Sequence, residues 1–388
     1  MPEMIKITSP VDGSVYAERP VASDAEIDRA LDAARSAQAE WRRTPLDTRA
    51  KILTAGIAAM TAMKDEIAKE LAWQMGRPVR FGAGEISRGL TERAEHMIAI
   101  APAALADIDV GAKDGFKRFI RREPLGTVFV IAPWNYPFLT AVNSIWPALM
   151  AGNAVILKHA SQTLLVGERF QRALDKAGLP KGLFRNLVMT HEQAARVIGS
   201  GKINQVNFTG SVEGGRAIER AAAGHFIGVG LELGGKDPAY VRADANLEHA
   251  VENLVDGAYF NSGQSCCGIE RIYVDKKIYP KFIDGFVALT KTYVLDTPLD
   301  ERTTLGPMVN AKAADFVRGQ IESAVRGGAK AHIDTRTFKR DKKGSPYMAP
   351  QVLTEVNHQM GVMREESFGP VIGIMPVSGD DEAVKLME

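Results

Sequence analysis

The chain has 388 residues, 48 lysines plus arginines against 47 aspartates plus glutamates, and a formal net charge of +1. That length exceeds what one compact core usually holds, so two or more domains are expected. Balanced charge, 45% hydrophobic and 24% charged residues describe an ordinary globular protein and argue against nucleic acid or an anionic membrane as main partner.

Residues 1–10 carry Glu3 and Lys6 and no apolar run, so no secretory signal is read there, and no apolar run is long enough to span a bilayer. The two cysteines, Cys266 and Cys267, are adjacent and cannot staple distant segments. Seven histidines show no metal-ligand spacing, so no metal site is expected. Cytoplasm is the expected location.

In chain order, the first hundred residues read mainly as packing helices. Ser23 and Glu26 form a capping-box pattern, followed by Ile27, Leu31, Ala34 and Trp41 on roughly one face. A second helix spans about 65–75, stopped by Gly76 and Pro78, and 89–100 continues in the same style. From 127 the character changes. Residues 127–132 and 154–157 are apolar strand runs, the first ending in Pro133-Trp-Asn-Tyr-Pro137 and the second at Lys158. A helix from about Gln162 to Gly178, a strand at 184–188, a helix at 192–198, a strand at 205–208 and a helix opening at Ser211 follow. Strand and helix alternate at the spacing of a parallel α/β sheet, in which ligands bind beyond the carboxyl ends of the strands. Asn135, Lys158 and Ser211 all fall there. From about 237 a second α/β unit is expected, with a strand at 271–274, a helix at 311–326 and a polar surface excursion at 335–345.

Five places offer chemistry, each beside a plainer explanation. Thr209 to Gly215 is a glycine-rich turn entering a helix, suited to a phosphate but explained equally well as a turn. Asn135, between two prolines, could aim an amide at an oxyanion or simply cap a turn. Lys158 could reach a ribose or phosphate, or be solvated. Glu232-Leu-Gly-Gly-Lys236 could carry only a surface charge, but Leu231, Leu233 and Ile227 to Gly230 suggest that Glu232 leaves a buried strand, where burial would raise the carboxyl pKa as a general base requires. Gly263-Gln-Ser-Cys266-Cys267 supplies a thiol, which could equally be inert and buried. A thiolate adds to a carbonyl carbon and a carboxylate activates water to break the adduct. Together these are the two halves of an aldehyde oxidation.

Six segments in order, Pro133 to Pro137, Phe208 to Ser211, Glu232 to Lys236, Gly263 to Cys266, Leu305-Gly-Pro307 and Glu365 to Pro370, resemble the aldehyde dehydrogenase superfamily. The resemblance covers nearly the whole chain. It implies an α/β fold with a Rossmann-like cofactor domain at 1–106 and 125–236, a bridging, oligomerising hairpin at 107–124 and a catalytic domain at 237–388. It also implies Cys266 as nucleophile, Asn135 with the Cys266 backbone N–H as oxyanion donors, and Glu232 as general base. Cofactor contacts follow in the same way: Ile131, Ala132, Pro133, Trp134 and Asn135 after the first strand, Lys158 and Ser161 at the ribose, Gly210 and Ser211 at the pyrophosphate. Leu233 and Gly234, with Glu366 and Phe368, complete the nicotinamide end.

The cofactor is NAD or NADP. Many NAD-preferring relatives carry a glutamate where this chain has Ser161, so a 2′-phosphate is not repelled and NADP is expected to be accepted. Residues 188–192 lack the glycines that relatives often have along the adenine cleft. Relatives also continue for several tens of residues beyond the Glu366 motif, so the resemblance implies a C-terminally incomplete catalytic domain, an exposed sheet edge and low activity. A homodimer or homotetramer is implied for a full-length chain. Two other readings remain: a CoA-acylating relative, against which Glu232 argues, and a nucleotide-binding fragment that has lost catalysis. Semialdehydes, amino-aldehydes and aliphatic aldehydes are all candidate substrates.

Overall fold

The computed structural model describes residues 3–388. An N-terminal pair, β1 (Met4–Thr8) and β2 (Val15–Pro20), forms a two-stranded sheet. Contacts divide the chain into two compact units, one of residues up to 7, 17–67 and 83–233, the other of 8–16, 68–82 and 234–388.

In the first unit, β3 (Ile108–Asp109) and β4 (Phe119–Ile120) make a short antiparallel hairpin with exposed Phe116, Phe119 and Ile120. The main sheet comprises β5 (Thr127–Ala132), β6 (Ala154–His159), β7 (Phe184–Asn186), β8 (Gln205–Thr209) and β9 (Gly228–Glu232). Their order is β7-β6-β5-β8-β9, and every pair is parallel. Every residue of β5 and β6 is buried, as expected for strands covered on both faces by helices. The chain therefore reverses direction across the sheet between β5 and β8, and the crevice at their carboxyl ends is the place where such sheets bind ligands.

The helix Asp24–Trp41 covers one face. Ser23 accepts the Glu26 amide while the Glu26 carboxylate accepts the Ser23 amide, and Ile27, Leu31 and Ala34 pack on Phe129, Ile131 and Ile156. The helix His191–Ile198 is started in the same way by Thr190 and Gln193.

In the second unit, β10 (Asp237–Val241), β11 (Ile269–Asp275), β12 (Lys330–Ala331), β13 (Gln351–Thr354) and β14 (Val371–Val377) form a sheet ordered β10-β11-β14-β13-β12. All its pairs are parallel except β12 with β13. Tyr259, Ile272, Val274, Phe282, Phe286 and Ile372 build one core beneath it.

Several sequence expectations need correction. Residues 8–16 and 68–82 cluster with the second unit, whereas the sequence reading placed them in a cofactor domain at 1–106 and 125–236. Within that unit Gly76, at φ +85°, lies so close to Pro307 that an added Cβ would come within 2.7 Å of its carbonyl oxygen. The strand at 154 runs on through Lys158 to His159. The helix expected from Gln162 begins as a single tight turn, Ser161–Thr163, and becomes α-helical at Leu164. The helix expected at 89–100 is Thr91–Ala104, preceded by a π-helical turn, Glu85–Leu90. The excursion at 335–345 is pinned by Phe338, which is buried in the core of the second unit.

Candidate active site

In the first unit, Asn135 follows β5 and is buried, just ahead of the helix Pro137–Met150. Proline at the first helical position fits a helix start, because its missing N–H would be unsatisfied there anyway. The next two amides, of Phe138 and Leu139, donate to Glu85 Oε1 at 2.8 and 3.1 Å. A buried carboxylate from the π-helical turn thus serves that helix start. Ile131, Ala132, Pro133 and Trp134 line the run into it.

Lys158 lies opposite Ile131 in the β5–β6 register and is 3% exposed, so it is not the solvated strand-end lysine of the plainer reading. Burial lowers its pKa. No carboxylate pairs with it among the described residues. A buried ammonium without a protein anion suits a ligand rich in hydroxyl and phosphate oxygens. The neighbouring His159 is fully buried, and burial pulls its pKa down to about 4. Its Nε2 faces the Pro137 carbonyl at 3.2 Å, and its Nδ1 accepts the Ala160 amide at 2.9 Å. These contacts assign a neutral ring protonated at Nε2. His159 thereby ties the turn that carries exposed Ser161 to the helix start after Asn135.

Ser211 is the N-cap of the helix Val212–Ala222, and its Oγ accepts the Gly214 amide at 3.1 Å. The Gly210 amide donates to the Glu232 carbonyl at 3.0 Å. A Cβ on Gly210 or Gly214 would meet the Phe208 ring at 2.6 or 2.5 Å. Packing against Phe208 therefore accounts for both glycines without any ligand. The helix dipole at Ser211 remains the feature that suits a phosphate.

Glu232 corrects the expectation most clearly. It ends β9, which is the edge strand of the sheet, with a mostly exposed face, and the Glu232 side chain is itself exposed. It does not leave a buried strand. Burial of the kind expected from Leu231 and Leu233 is absent because no strand pairs with the outer edge of β9.

In the second unit, the thiols follow a loop of unusual backbone. Asn261, Ser262 and Gly263 have φ of 53°, 58° and 71°, a run that costs energy at the two non-glycine positions. Side-chain bonds hold it. Ser262 Oγ donates to the Gly306 carbonyl at 2.8 Å, Gln264 Oε1 accepts the Val309 amide at 2.8 Å, and Gln264 Nε2 donates to the Asn261 carbonyl at 3.0 Å. The loop delivers Cys266 and Cys267 to the surface, both exposed, which removes the inert-core explanation. The hydrogen bond between the thiols pulls Cys267 down to about 5 and pushes Cys266 up. Such a pair gives up its first proton readily and its second with difficulty. Ser265 Oγ, 3.4 Å from the Cys267 sulfur, adds to the lowering at Cys267.

Glu366 and Phe368 belong to the same unit. Glu366 lies against Gly234, where a Cβ would come within 2.2 Å of its Oε1, and burial raises its pKa although the Gly235 backbone hydrogen-bonds to it. Phe368 has φ 49°. Gly263 is packed on the backbone of Gly369, where a Cβ would stand 2.3 Å from the carbonyl oxygen. The structure thus brings Cys266, Gly234, Glu366 and Phe368 into one neighbourhood. Within the first unit it brings Asn135, Lys158, Ser161, Gly210, Ser211 and Glu232 to the carboxyl ends of adjacent strands. Sequence reading missed Glu85, Lys236 and Glu270, charged residues whose burial no local pattern announces.

Residues 1–388 match the profile of the Aldehyde dehydrogenase family. The chain is 34% identical over 386 residues to the 3,6-anhydro-alpha-L-galactose dehydrogenase of Streptomyces coelicolor, covering 98% of this chain and 77% of that protein. It is 31% identical to the NADP(+) succinate-semialdehyde dehydrogenase of Mycobacterium avium, covering 98% and 81%. Among solved structures, an aldehyde dehydrogenase from Brucella melitensis superposes with TM-score 0.94 at 30% identity, covering 99% of this chain and 79% of that one. The NADP-dependent glyceraldehyde-3-phosphate dehydrogenase of Bacillus halodurans, complexed with NADP, gives TM-score 0.91 at 31% identity, covering 99% and 80%. Among the described residues no helix is long and apolar enough to cross a membrane.

Proposed function

The chain belongs to the aldehyde dehydrogenase family, and we propose that it oxidises an aldehyde to a carboxylic acid with NADP or NAD as acceptor. The observation that carries this reading is the exposed, hydrogen-bonded thiol pair at the end of a loop held in left-handed backbone. Lys158, a buried cation with no carboxylate partner, supports the cofactor, and Ser161 beside it brings no negative charge to oppose a 2′-phosphate. The two units would then be the cofactor domain and the catalytic domain.

In this reading Cys266 adds to the carbonyl carbon as its proton passes to the Cys267 sulfur, the member of the pair that is drawn down, and the C=O pair moves to oxygen. The Asn135 amide and the Cys266 backbone N–H hold that oxyanion. A bound cofactor would supply the acceptor for the hydride of the former aldehyde carbon, leaving the acyl group on Cys266 as a thioester. Lys158, Ser161 and Ser211 would hold its adenosine and pyrophosphate, and Glu366 with Phe368 its nicotinamide ribose and ring. Glu232 takes a proton from water, the resulting hydroxide adds to the thioester, and the C–S bond breaks to release acid and thiolate. The balance is aldehyde, water and oxidised cofactor giving acid, reduced cofactor and a proton.

The exposed apolar residues of the β3–β4 hairpin, Phe116, Phe119 and Ile120, support assembly as a homodimer or homotetramer, and a cytoplasmic location completes the reading. A panel of semialdehydes, amino-aldehydes and aliphatic aldehydes, assayed with both cofactors for NAD(P)H absorbance, tests it. Turnover without added CoA is expected. A strict CoA requirement would replace hydrolysis by acyl transfer, and no reduced cofactor from any aldehyde would sink the reading.

A further inference from the structure

Inside the second unit, four residues beyond Cys266, Glu270 opens the buried part of β11 with only 4% of its surface exposed. Its carboxylate accepts from three donors. Lys236 Nζ lies 2.6 Å from Oε2, the Ser367 amide 2.8 Å from Oε2, and the Phe368 amide 2.9 Å from Oε1. Lys236 Nζ also donates to Ser367 Oγ at 2.9 Å. The side chains of Lys236 and Glu270 are 8% and 5% exposed.

A buried ion pair is a poor device for stability alone, because desolvating both charges consumes most of the attraction between them. What this one does is geometric. It joins three separate chain segments: the one that follows Glu232 to Lys236, the one that carries Cys266 into β11, and the one that holds Glu366 and Phe368. The two amides it binds are consecutive, and the second belongs to a phenylalanine in left-handed backbone, a conformation that persists only when its surroundings impose it. On the other side of the same segment, Gly263 is pressed against Gly369. Glu270 and Gly263 therefore grip the Glu366–Phe368 segment from the two ends of the thiol loop.

We propose that Glu270 is the positioning residue for the nicotinamide end of the site, fixing Phe368 and Glu366 in register with Cys266 through Lys236 and the amides of Ser367 and Phe368. Glu270 touches neither substrate nor cofactor and exchanges no proton with them. It rests on the reading that Glu366 and Phe368 meet the nicotinamide ribose and ring.

The test uses the whole chain carrying Glu270→Gln, Glu270→Asp, or Glu270→Gln with Lys236→Met. Without nucleotide, hydrogen exchange at the Ser367 and Phe368 amides is expected to speed up about tenfold or more in Glu270→Gln, with β8 unchanged and Glu270→Asp partly restored. With NADP and an accepted aldehyde, the burst of NADPH is expected to slow by about tenfold to a hundredfold while KM for NADP stays within about threefold. Unchanged exchange overturns the proposal, as does faster exchange with an unchanged burst. A double variant that regains the wild-type burst would show that only an uncompensated charge had mattered, and would overturn it too. A wild-type chain that forms no NADPH from any aldehyde would instead refute the proposed function and with it the nicotinamide role, while the exchange measurement alone still decides whether Glu270 holds the segment.

Discussion

The carboxylate of Glu85 accepts the backbone amide of Phe138 at 2.8 Å, across 53 residues of sequence. Through this bond a buried acid in a π-helical turn sets the start of the helix Pro137–Met150, two residues beyond Asn135. Replacing Glu85 by alanine leaves the Phe138 and Leu139 amides without their acceptor in a buried place. A loss of about 1–3 kcal/mol is expected, read as a lower midpoint in urea unfolding, and Glu85→Gln should recover much of it. If Asn135 holds the oxyanion, Glu85→Ala lowers kcat more than it raises KM for cofactor.

The thiol pair predicts an asymmetric pH profile. With Cys267 drawn down to about 5 by its hydrogen bond from Cys266, the pair carries a negative charge at neutral pH. Lowered pKa values put the reactive form above the shifted value, so alkylation by iodoacetamide should persist well below pH 7. Cys267→Ala returns Cys266 to the ordinary thiol range near about 8.5, and its alkylation at mildly acidic pH should fall about tenfold or more. Cys266→Ser should abolish aldehyde oxidation. A Cys266→Ser variant with wild-type turnover would transfer the nucleophile to Cys267.

Ser161 predicts cofactor choice. A carboxylate there would face the 2′-phosphate while offering acceptors to a free ribose. Ser161→Glu is expected to lower kcat/KM for NADP by about tenfold to a hundredfold relative to NAD, equivalent to about 1–3 kcal/mol. Steady-state kinetics with both cofactors check it, and a ratio that does not move would remove Ser161 from the ribose.

His159 predicts how stability depends on acid. Its folded pKa, about 4, lies below the 6.5 of a free imidazole, so between these values the unfolded chain binds a proton that the folded chain refuses. Stability should therefore fall as pH drops from about 6.5 toward about 4 through this residue. His159→Gln should flatten that part of the curve, measured as thermal midpoint against pH. An unaltered slope would show that the imidazole is not the group responsible.

Much of the fold was legible because it rests on local pattern. The capping box at Ser23, the apolar runs within β5 and β6, and the helix Ala311–Arg326 each follow from periodicity or end chemistry within a few residues. The thiol loop was legible as a candidate, since two adjacent cysteines after Gly263-Gln-Ser are visible in any reading. Glu232 was misjudged because flanking leucines suggest a buried strand, whereas its place at the edge of the sheet is decided by which strands pair. For Lys158 the choice between a ligand contact and a solvated strand end stayed open in the sequence, since only the continuation of β6 through His159 buries it.

By itself the sequence determined the strand and helix alternation, the position of the thiols and the family, because these depend on spacing and residue type along the chain. Tertiary structure alone decided that Glu85 serves a helix 53 residues away, that Lys236 and Glu270 meet in the interior, and that Glu232 stays at the surface. Burial and long-range hydrogen bonding depend on which segments pack together, and a charged residue carries no local mark of whether its partner lies in water or far along the chain.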